Sequence, residues 1–221
     1  MQVFKSLNYT DNLSKASQEL SNFCSEASSC LLLVSGGSSI AVAQKFINDF
    51  SYPEKIKIGL VDERFGQPMH NNSNWNGLLE IEGIDKYEKF PMLEGKNAEE
   101  TTQNYEQTIN KQLDSTEKSI GLLGLGEDGR IAGMLPSGPE EFSNFLSVSD
   151  FAQYHAKDFH RITATDHLLS RLDEIIVFGN GTTKFEAIEK LLKSDMSVHE
   201  FPGCLLKRYK NVKVYISNID S

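Results

Sequence analysis

Short apolar runs alternate along this chain with longer segments in which apolar residues recur every three or four positions. The short runs predict β-strands at Leu31–Ser35, Ile56–Asp62, Ser119–Gly124, Glu174–Gly179 and Val212–Ile216. The longer segments predict helices at about Asp11–Ala27, Ser38–Phe50, Ser73–Leu79, Ala98–Leu113, Asp166–Leu172 and Thr182–Lys193. Such alternation is typical of an α/β fold, with helices covering both faces of a mostly parallel sheet.

The composition of each run predicts its place in the sheet. Four runs are almost continuously apolar, as buried parallel strands are, whereas Val212–Ile216 alternates and is predicted to be an edge strand. Gly83–Gly95 and Pro136–His160 fit neither pattern, and we expect them to form long loops of the kind that carry specificity elements. No repeat, low-complexity tract or Pro-rich linker interrupts residues 1–221, which predicts a single domain.

Composition narrows the functional classes. The chain has 221 residues, with 22 Lys and Arg against 31 Asp and Glu, a formal charge of −9. This acidic balance argues against a nucleic-acid partner, which requires a basic face. Cysteine occurs three times without a CxxC pair, so neither a disulfide framework nor a metal site is predicted. The start lacks a signal-like pattern and the longest apolar run, Cys30–Val34, is too short to span a bilayer, so we expect a cytoplasmic protein with no membrane partner.

A glycine and serine loop follows the first predicted strand. Ser35, Gly36, Gly37 and Ser38 lie between an apolar strand and a helix, so backbone N–H groups, hydroxyls and the helix N-terminus would converge on an anion. Taken alone, the segment is better explained by an ordinary turn with a serine cap. It lacks the lysine of a nucleoside triphosphate loop.

Ionisable residues follow the next two strands. Asp62 and Arg64 end the second strand, with His70 shortly after, although a solvated acidic loop with an internal ion pair explains them equally well. The third strand leads into Gly124–Arg130, which contains Asp128 and matches GxGxxG. That match is weak, because a dinucleotide motif belongs in the first βα unit, and we predict no cofactor.

Two further cations lie near strand ends. Arg161 and Lys184 each precede or begin a predicted helix, and a single such cation is usually only solvated. Solvation is a weaker explanation for the whole set. This acidic chain combines an anion loop with four cations near strand ends, which are Arg64, Arg130, Arg161 and Lys184. The set predicts a site for an anionic small molecule.

Several segments, taken in order, resemble the 6-phosphogluconolactonase family. SGGSS resembles the family's SGGST loop, DERFGQPMHNNSN its DERxVPxxHxxSN segment, and GLGEDGRIAGMLPSG its GMGxDGHxASLFPG turn. RIT, GTTK and FPGCLL follow in the family's order, so the resemblance covers nearly the whole chain. It implies a modified Rossmann-like three-layer sandwich, related to glucosamine-6-phosphate deaminase, without a metal or cofactor.

The resemblance also implies roles. It implies hydrolysis of 6-phospho-D-glucono-1,5-lactone to 6-phosphogluconate in the oxidative pentose phosphate pathway, by a monomer or weak homodimer. Ser35, Gly36, Gly37 and Ser38 would hold the sugar phosphate with Arg64, Arg161 and Lys184, while Asp128 and position 130 would face the reacting carbon.

Position 130 departs from the family pattern, because Arg130 replaces the histidine of DGH that serves as the base. Arginine, with a pKa above about 12, stays protonated at neutral pH and is unable to accept the proton. One hypothesis gives that task to His70, His155 or His160, and a second to Asp62 or Asp128. A third describes a phosphosugar-binding protein without turnover, and a fourth a related isomerase or deaminase. The fourth is disfavoured because Met134-Leu135-Pro136 replaces the expected Asn-Glu-Pro.

Overall fold

A computed structural model describes residues 1–193 and 195–217. Its strands are β1 (Gln2–Ser6), β2 (Cys30–Val34), β3 (Ile56–Leu60), β4 (Asp62–Arg64), β5 (Glu88–Lys89), β6 (Lys118–Leu123), β7 (Phe151–His155), β8 (His160–Ala164), β9 (Glu174–Asn180) and β10 (Val212–Ser217). Its helices are α1 (Tyr9–Ser25), α2 (Ser39–Asp49), α3 (Asn74–Leu79), α4 (Ala98–Ser115), α5 (Pro139–Phe142), α6 (Asp166–Arg171) and α7 (Thr182–Lys193). The predicted domain of residues 1–221 includes Ser194 and residues 218–221, which lie outside the described residues.

Within those described ranges, seven strands form one sheet in the order β1-β10-β9-β6-β2-β3-β5, and every neighbouring pair is parallel. Three more form a small antiparallel sheet in the order β4-β8-β7. β2 is wholly buried at the centre of the large sheet, as its run of apolar residues predicts. The predicted α/β fold with a mostly parallel sheet is therefore confirmed.

The edge-strand prediction for Val212–Ile216 is wrong. β10 lies between β9 and β1, and β1 forms the edge of the sheet. The prediction took the polar residue Lys213 as a sign of a solvent-exposed edge. In the structure, Lys213 instead forms ion pairs with Glu174 and Glu19. β1 was not predicted from the sequence, because most residues of this edge strand are exposed and it lacks an apolar run.

The two predicted loops contain regular structure. Residues 136–160 hold α5, a 3-10 helix at Ser143–Leu146 and β7, which pairs with β8 as an antiparallel hairpin. Residues 83–95 hold a 3-10 helix at Ile84–Lys86 and the two-residue strand β5. The hairpin was missed because Phe151 is the only buried residue of β7, so the strand has few apolar residues.

The chain turns sharply where β3 meets the small sheet. β3 ends at Leu60, and Asp62 already belongs to β4, so the predicted strand Ile56–Asp62 is two elements. Tyr105 of α4 holds this junction, because its hydroxyl accepts from Leu60 N–H at 2.6 Å and donates to Leu60 C=O at 3.0 Å. Among the helices of the described chain, none combines the length and hydropathy needed to span a bilayer.

Candidate active site

The carboxyl ends of β2 and β6 open into a pocket of about 200 Å³, beside β4 and β8. Every predicted site residue lines it except Asp128 and the candidate bases His70, His155 and His160. Its lining is Ser35, Gly36, Gly37, Ser38, Asp62, Arg64, Asn74, Gly124, Leu125, Gly126, Arg130, Ala132, Arg161 and Lys184. Strand ends that are distant in sequence thus meet at one edge of the sheet, as the parallel topology requires.

The glycine loop forms the floor between β2 and α2. The Ser39 hydroxyl donates to Ser35 C=O at 2.6 Å, and the Ser38 hydroxyl donates to Phe178 C=O at 2.9 Å. Gly37 has a φ of +72°, which a residue with a side chain adopts only with strain. The hydrogen bonds fix the loop at the N-terminus of α2, where backbone N–H groups favour an anion.

Asp62 is the one carboxylate among the described residues that line the pocket. It is only 4% exposed, and its Oδ1 accepts from the Ser35 hydroxyl at 2.9 Å. Burial raises the pKa of Asp62, while the Ser35 hydrogen bond and the charges of Arg64 and Arg161 oppose that rise. A carboxylate in this setting binds a proton more readily than one in water.

Sequence reasoning gave Asn74 no role, yet its amide connects two pocket residues. Oδ1 of Asn74 accepts from Arg64 Nη1 at 2.7 Å, and Nδ2 donates to the backbone carbonyl of Asp62 at 2.8 Å. The side chain lies directly against Gly36, where a Cβ would stand 2.1 Å from Oδ1. Asn74 thereby fixes Arg64 relative to the glycine loop.

Glu63 is a second residue without a predicted role, and it positions Asn74. Its fully buried carboxylate accepts from the backbone N–H groups of Arg64, Asn74 and Trp75, at 2.7 to 3.0 Å, and from the Ser73 hydroxyl at 2.7 Å. Burial raises the pKa of Glu63, and these four donors oppose the rise. Glu63 therefore holds the start of α3 against β4. A glutamate ten residues before a short helix gives no sequence signal for this contact.

Arg64 and Arg161 are partners in the β4–β8 ladder. Arg161 is almost completely buried and donates from Nη2 to Asp158 Oδ2 at 2.6 Å. The Phe159 ring lies 5.5 Å from Arg161 Cζ and 5.9 Å from Arg64 Cζ, within the range of a cation–π interaction. In the described part of the chain, Nε of each arginine is buried without a hydrogen-bond partner. Two adjacent guanidinium groups with free donors favour an anionic ligand.

A tight turn holds Arg130 at the opposite wall. Gly126 N–H donates to Arg130 C=O at 2.8 Å, and Asp128 Oδ1 accepts from Arg130 N–H at 3.1 Å. The Asp128 carboxylate is nearly half exposed and does not line the pocket, whereas the Arg130 side chain does. Ala132, just beyond the turn, has a φ of +50°, a strained value for a residue with a side chain.

Lys184, in the first turn of α7, completes the cationic lining. Burial lowers the pKa of Lys184, and the charge of Arg130 lowers it further, while Glu127 and Asp128 act in the opposite direction. Arg130 and Lys184 therefore lie near enough to repel each other. Holding both cations at one pocket costs free energy that an anionic ligand would offset.

The histidines are engaged outside the pocket. His70 Nε2 lies 2.8 Å from Arg64 C=O, and its Nδ1 accepts from Asn72 N–H at 3.2 Å. The rings of His155 and His160 stack with centroids 3.8 Å apart, and burial and His155 both lower the pKa of His160. Across the described residues, no group of three or more His, Cys, Asp and Glu side chains could hold a metal ion.

A family model described as "Glucosamine-6-phosphate isomerases/6-phosphogluconolactonase" matches residues 9–215. A chloroplastic 6-phosphogluconolactonase 3 of Arabidopsis thaliana is 27% identical over 215 residues, covering 86% of this chain and 65% of that protein. A 6-phosphogluconolactonase of Borreliella burgdorferi is 29% identical over 169 residues, covering 72% of this chain and 71% of its own length. The chain thus spans just under two thirds of the Arabidopsis relative.

The fold also matches solved structures. The 6-phosphogluconolactonase from Plasmodium vivax superposes with a TM-score of 0.82, covering 99% of this chain and 91% of that chain. The sequence identity in that superposition is 19%, so the likeness concerns the fold. It agrees with the three-layer architecture that the motifs imply.

Proposed function

We propose, since the chain belongs to the family of glucosamine-6-phosphate isomerases and 6-phosphogluconolactonases, that it hydrolyses 6-phospho-D-glucono-1,5-lactone to 6-phosphogluconate. The observation that carries this proposal is the pocket lining, in which a glycine loop and four cations surround one buried carboxylate. A lactonase needs a phosphate anchor, a proton acceptor and a donor for the developing oxyanion. The lining offers each of these.

Ser35, Gly36, Gly37 and Ser38 hold the phosphate in this proposal, together with Arg64, Arg161 and Lys184. The loop supplies backbone N–H groups, and the free Nε donors of the two arginines supply charge-assisted hydrogen bonds. Burial of Arg161 strengthens its attraction for a phosphate dianion, because water screens it less.

Asp62 is the proton acceptor that the geometry supports best. It lies in the pocket, and its raised pKa makes it a better base than an exposed aspartate. In the proposed step, a water attacks the lactone carbonyl and gives its proton to Asp62. The bond to the ring oxygen then breaks, and that oxygen takes the proton back. Arg130 faces the carbonyl and stabilises the oxyanion, while Asp128 orients Arg130 through the turn.

A second candidate is a phosphosugar-binding protein without turnover. The observation that favours it is Arg130 itself, which stands where the resemblance places a histidine base. Losing a general base typically costs about 10²–10⁴-fold in rate, although a strained lactone also reacts with water unaided. The two candidates differ in rate and share the same phosphate site.

The test is the initial rate of 6-phosphogluconolactone hydrolysis, corrected for spontaneous opening, with the wild type and Arg130→His measured together. A wild-type rate well above the spontaneous one supports the lactonase, and Asp62→Asn should then remove about 10²–10⁴-fold of it. Recovery of activity in Arg130→His alone would support the binding protein. Arg208→His, a substitution of an exposed arginine outside the pocket lining, is the matched control.

A further inference from the structure

The four cations of the pocket form two separate pairs. Arg64 and Arg161 adjoin across the β4–β8 ladder and share the Phe159 ring. Arg130, on the turn after β6, forms the second pair with Lys184 at the start of α7, and both side chains line the same pocket. Between the pairs runs the glycine loop, because Gly36 adjoins Asn74 at one end and Ser38 bonds to Phe178 of β9 at the other.

The lining itself carries more positive than negative charge. A phosphate monoester carries about −1.5 to −2 at pH 7, and Asp62 adds at most −1, against four cations in the lining. Asp158 offsets part of the charge on Arg161, but it lies on the hairpin tip and is half exposed. Glu127 and Asp128 also act on Lys184 from outside the lining. The charge balance therefore favours an anionic ligand, and the position of Arg130 decides whether a second anionic group adds to its binding.

Among the described residues, no carboxylate lies within hydrogen-bond distance of the Arg130 guanidinium. The carboxylate that comes nearest is Asp128, with Oδ2 3.9 Å from Nη1, beyond hydrogen-bond distance. Asp128 instead accepts from the backbone of Arg130, which fixes the turn and leaves the guanidinium facing the pocket. A planar guanidinium presented in this way matches a carboxylate, which it binds through two parallel hydrogen bonds.

We infer that Arg130 binds a carboxylate, and that the pocket prefers phosphorylated aldonic acids to phosphosugars that lack this group. The inference rests on the proposed function for the position of the sugar, because hydrolysis turns the carbon that faces Arg130 into a carboxylate. The inference extends that function. With arginine in place of histidine at position 130, the part of the pocket that faces the reacting carbon also binds the carboxylate of the product. The product should therefore leave slowly and inhibit the enzyme.

The experiment compares two ligands by isothermal titration calorimetry. 6-Phosphogluconate and glucitol 6-phosphate share the phosphate and the open chain, and they differ in a carboxylate against a hydroxymethyl group at carbon 1. The wild type should bind 6-phosphogluconate about tenfold or more tightly. Arg130→Gln should reduce that preference to within about threefold and still bind glucitol 6-phosphate through the phosphate site. Arg130→Lys, which keeps a cation, should retain part of the preference.

Arg208→Gln is the matched control, because it removes the same charge from an exposed position outside the pocket and should leave the preference intact. Equal affinity for both ligands in the wild type overturns the inference, and so does an unchanged preference in Arg130→Gln. Binding of glucitol 6-phosphate by each variant verifies that its phosphate site is folded. A missing lactonase rate refutes the proposed hydrolysis without affecting this comparison, so the two failures are distinguishable.

Discussion

Asn74 Oδ1 accepts a hydrogen bond from Arg64 Nη1 at 2.7 Å, and this contact sets the position of one guanidinium that lines the pocket. The other end of the same amide donates to the backbone of Asp62. Asn74→Ala removes both bonds in a buried site. We expect KM to rise about tenfold or more, because a hydrogen bond to a charged group contributes about 1.5–3 kcal/mol. Steady-state kinetics with the lactone measures this change.

Asn211→Ala is the control for that substitution. Nδ2 of Asn211 donates to Asp173 C=O at 2.9 Å beside the start of β9, at the opposite edge of the sheet. The Asn211→Ala substitution removes a similar amide-to-carbonyl hydrogen bond outside the pocket, so KM should stay within about twofold of the wild type. An equal rise in KM for both variants would mean that Asn74 acts through general stability.

Gly36 and Gly77 should respond oppositely to alanine. At Gly36 the new Cβ would stand 2.1 Å from Asn74 Oδ1, so Gly36→Ala should displace Asn74 and abolish phosphate binding. At Gly77, within α3, a Cβ meets no atom within 4 Å, and Gly77→Ala should stabilise the protein by up to about 1 kcal/mol. Thermal unfolding and ligand titration of the two variants test both statements. Retained affinity in Gly36→Ala would contradict the close approach described for the loop.

Sequence reasoning grouped Arg64, Arg130 and Lys184 because parallel strands deliver their carboxyl ends to one edge, and the structure places all three in the lining of one pocket. It failed for Asn74 because an amide carries no charge pattern, and its partners depend on how α3 docks. The β7–β8 hairpin was also missed, since a strand with one buried residue leaves a weak apolar signal. Local pattern thus predicted the strands, while the contacts that orient the side chains depend on tertiary packing.

His70 should behave as a structural residue. Its Nδ1 accepts from Asn72 N–H, and its Nε2 lies 2.8 Å from Arg64 C=O, so both ring nitrogens are engaged by the backbone. His70→Gln should lower stability by about 1 kcal/mol and raise KM modestly, with the pH profile of kcat unchanged. A base would instead lose about 10²–10⁴-fold in kcat on substitution. Such a loss would restore His70 as the proton acceptor.

Asp62 should make stability depend on pH. Burial raises its pKa in the folded protein above the ordinary value of 3.8, so the folded state binds the proton more tightly than the unfolded chain does. The proton on Asp62 therefore stabilises the folded state. This stabilisation is fully present below about pH 3.8 and is lost as the pH rises through the folded-state pKa of Asp62. Asp62→Asn has no such loss. The melting temperature of Asp62→Asn minus that of the wild type should therefore increase as the pH rises from 4 to neutrality. The lost hydrogen bonds add an offset to this difference that does not change with pH. A difference that stays constant with pH would contradict this assignment.

Phe159 should influence phosphate binding and not chemistry, because its ring lies beside the guanidinium groups of Arg161 and Arg64. Phe159→Leu keeps an apolar side chain and removes the π face, at a cost of about 0.5–2 kcal/mol for each cation–π interaction lost. KM for the phosphorylated lactone should rise several-fold at constant kcat, while the slow reaction with unphosphorylated gluconolactone stays the same.

Phe159→Tyr restores an aromatic face and should restore KM. Phe4→Leu, at the sheet edge where Phe4 stacks on Tyr215, controls for loss of a ring elsewhere. An equal loss with both lactones would mean that the hairpin tip shapes the whole pocket, whereas a loss confined to the phosphorylated substrate assigns Phe159 to the two arginines.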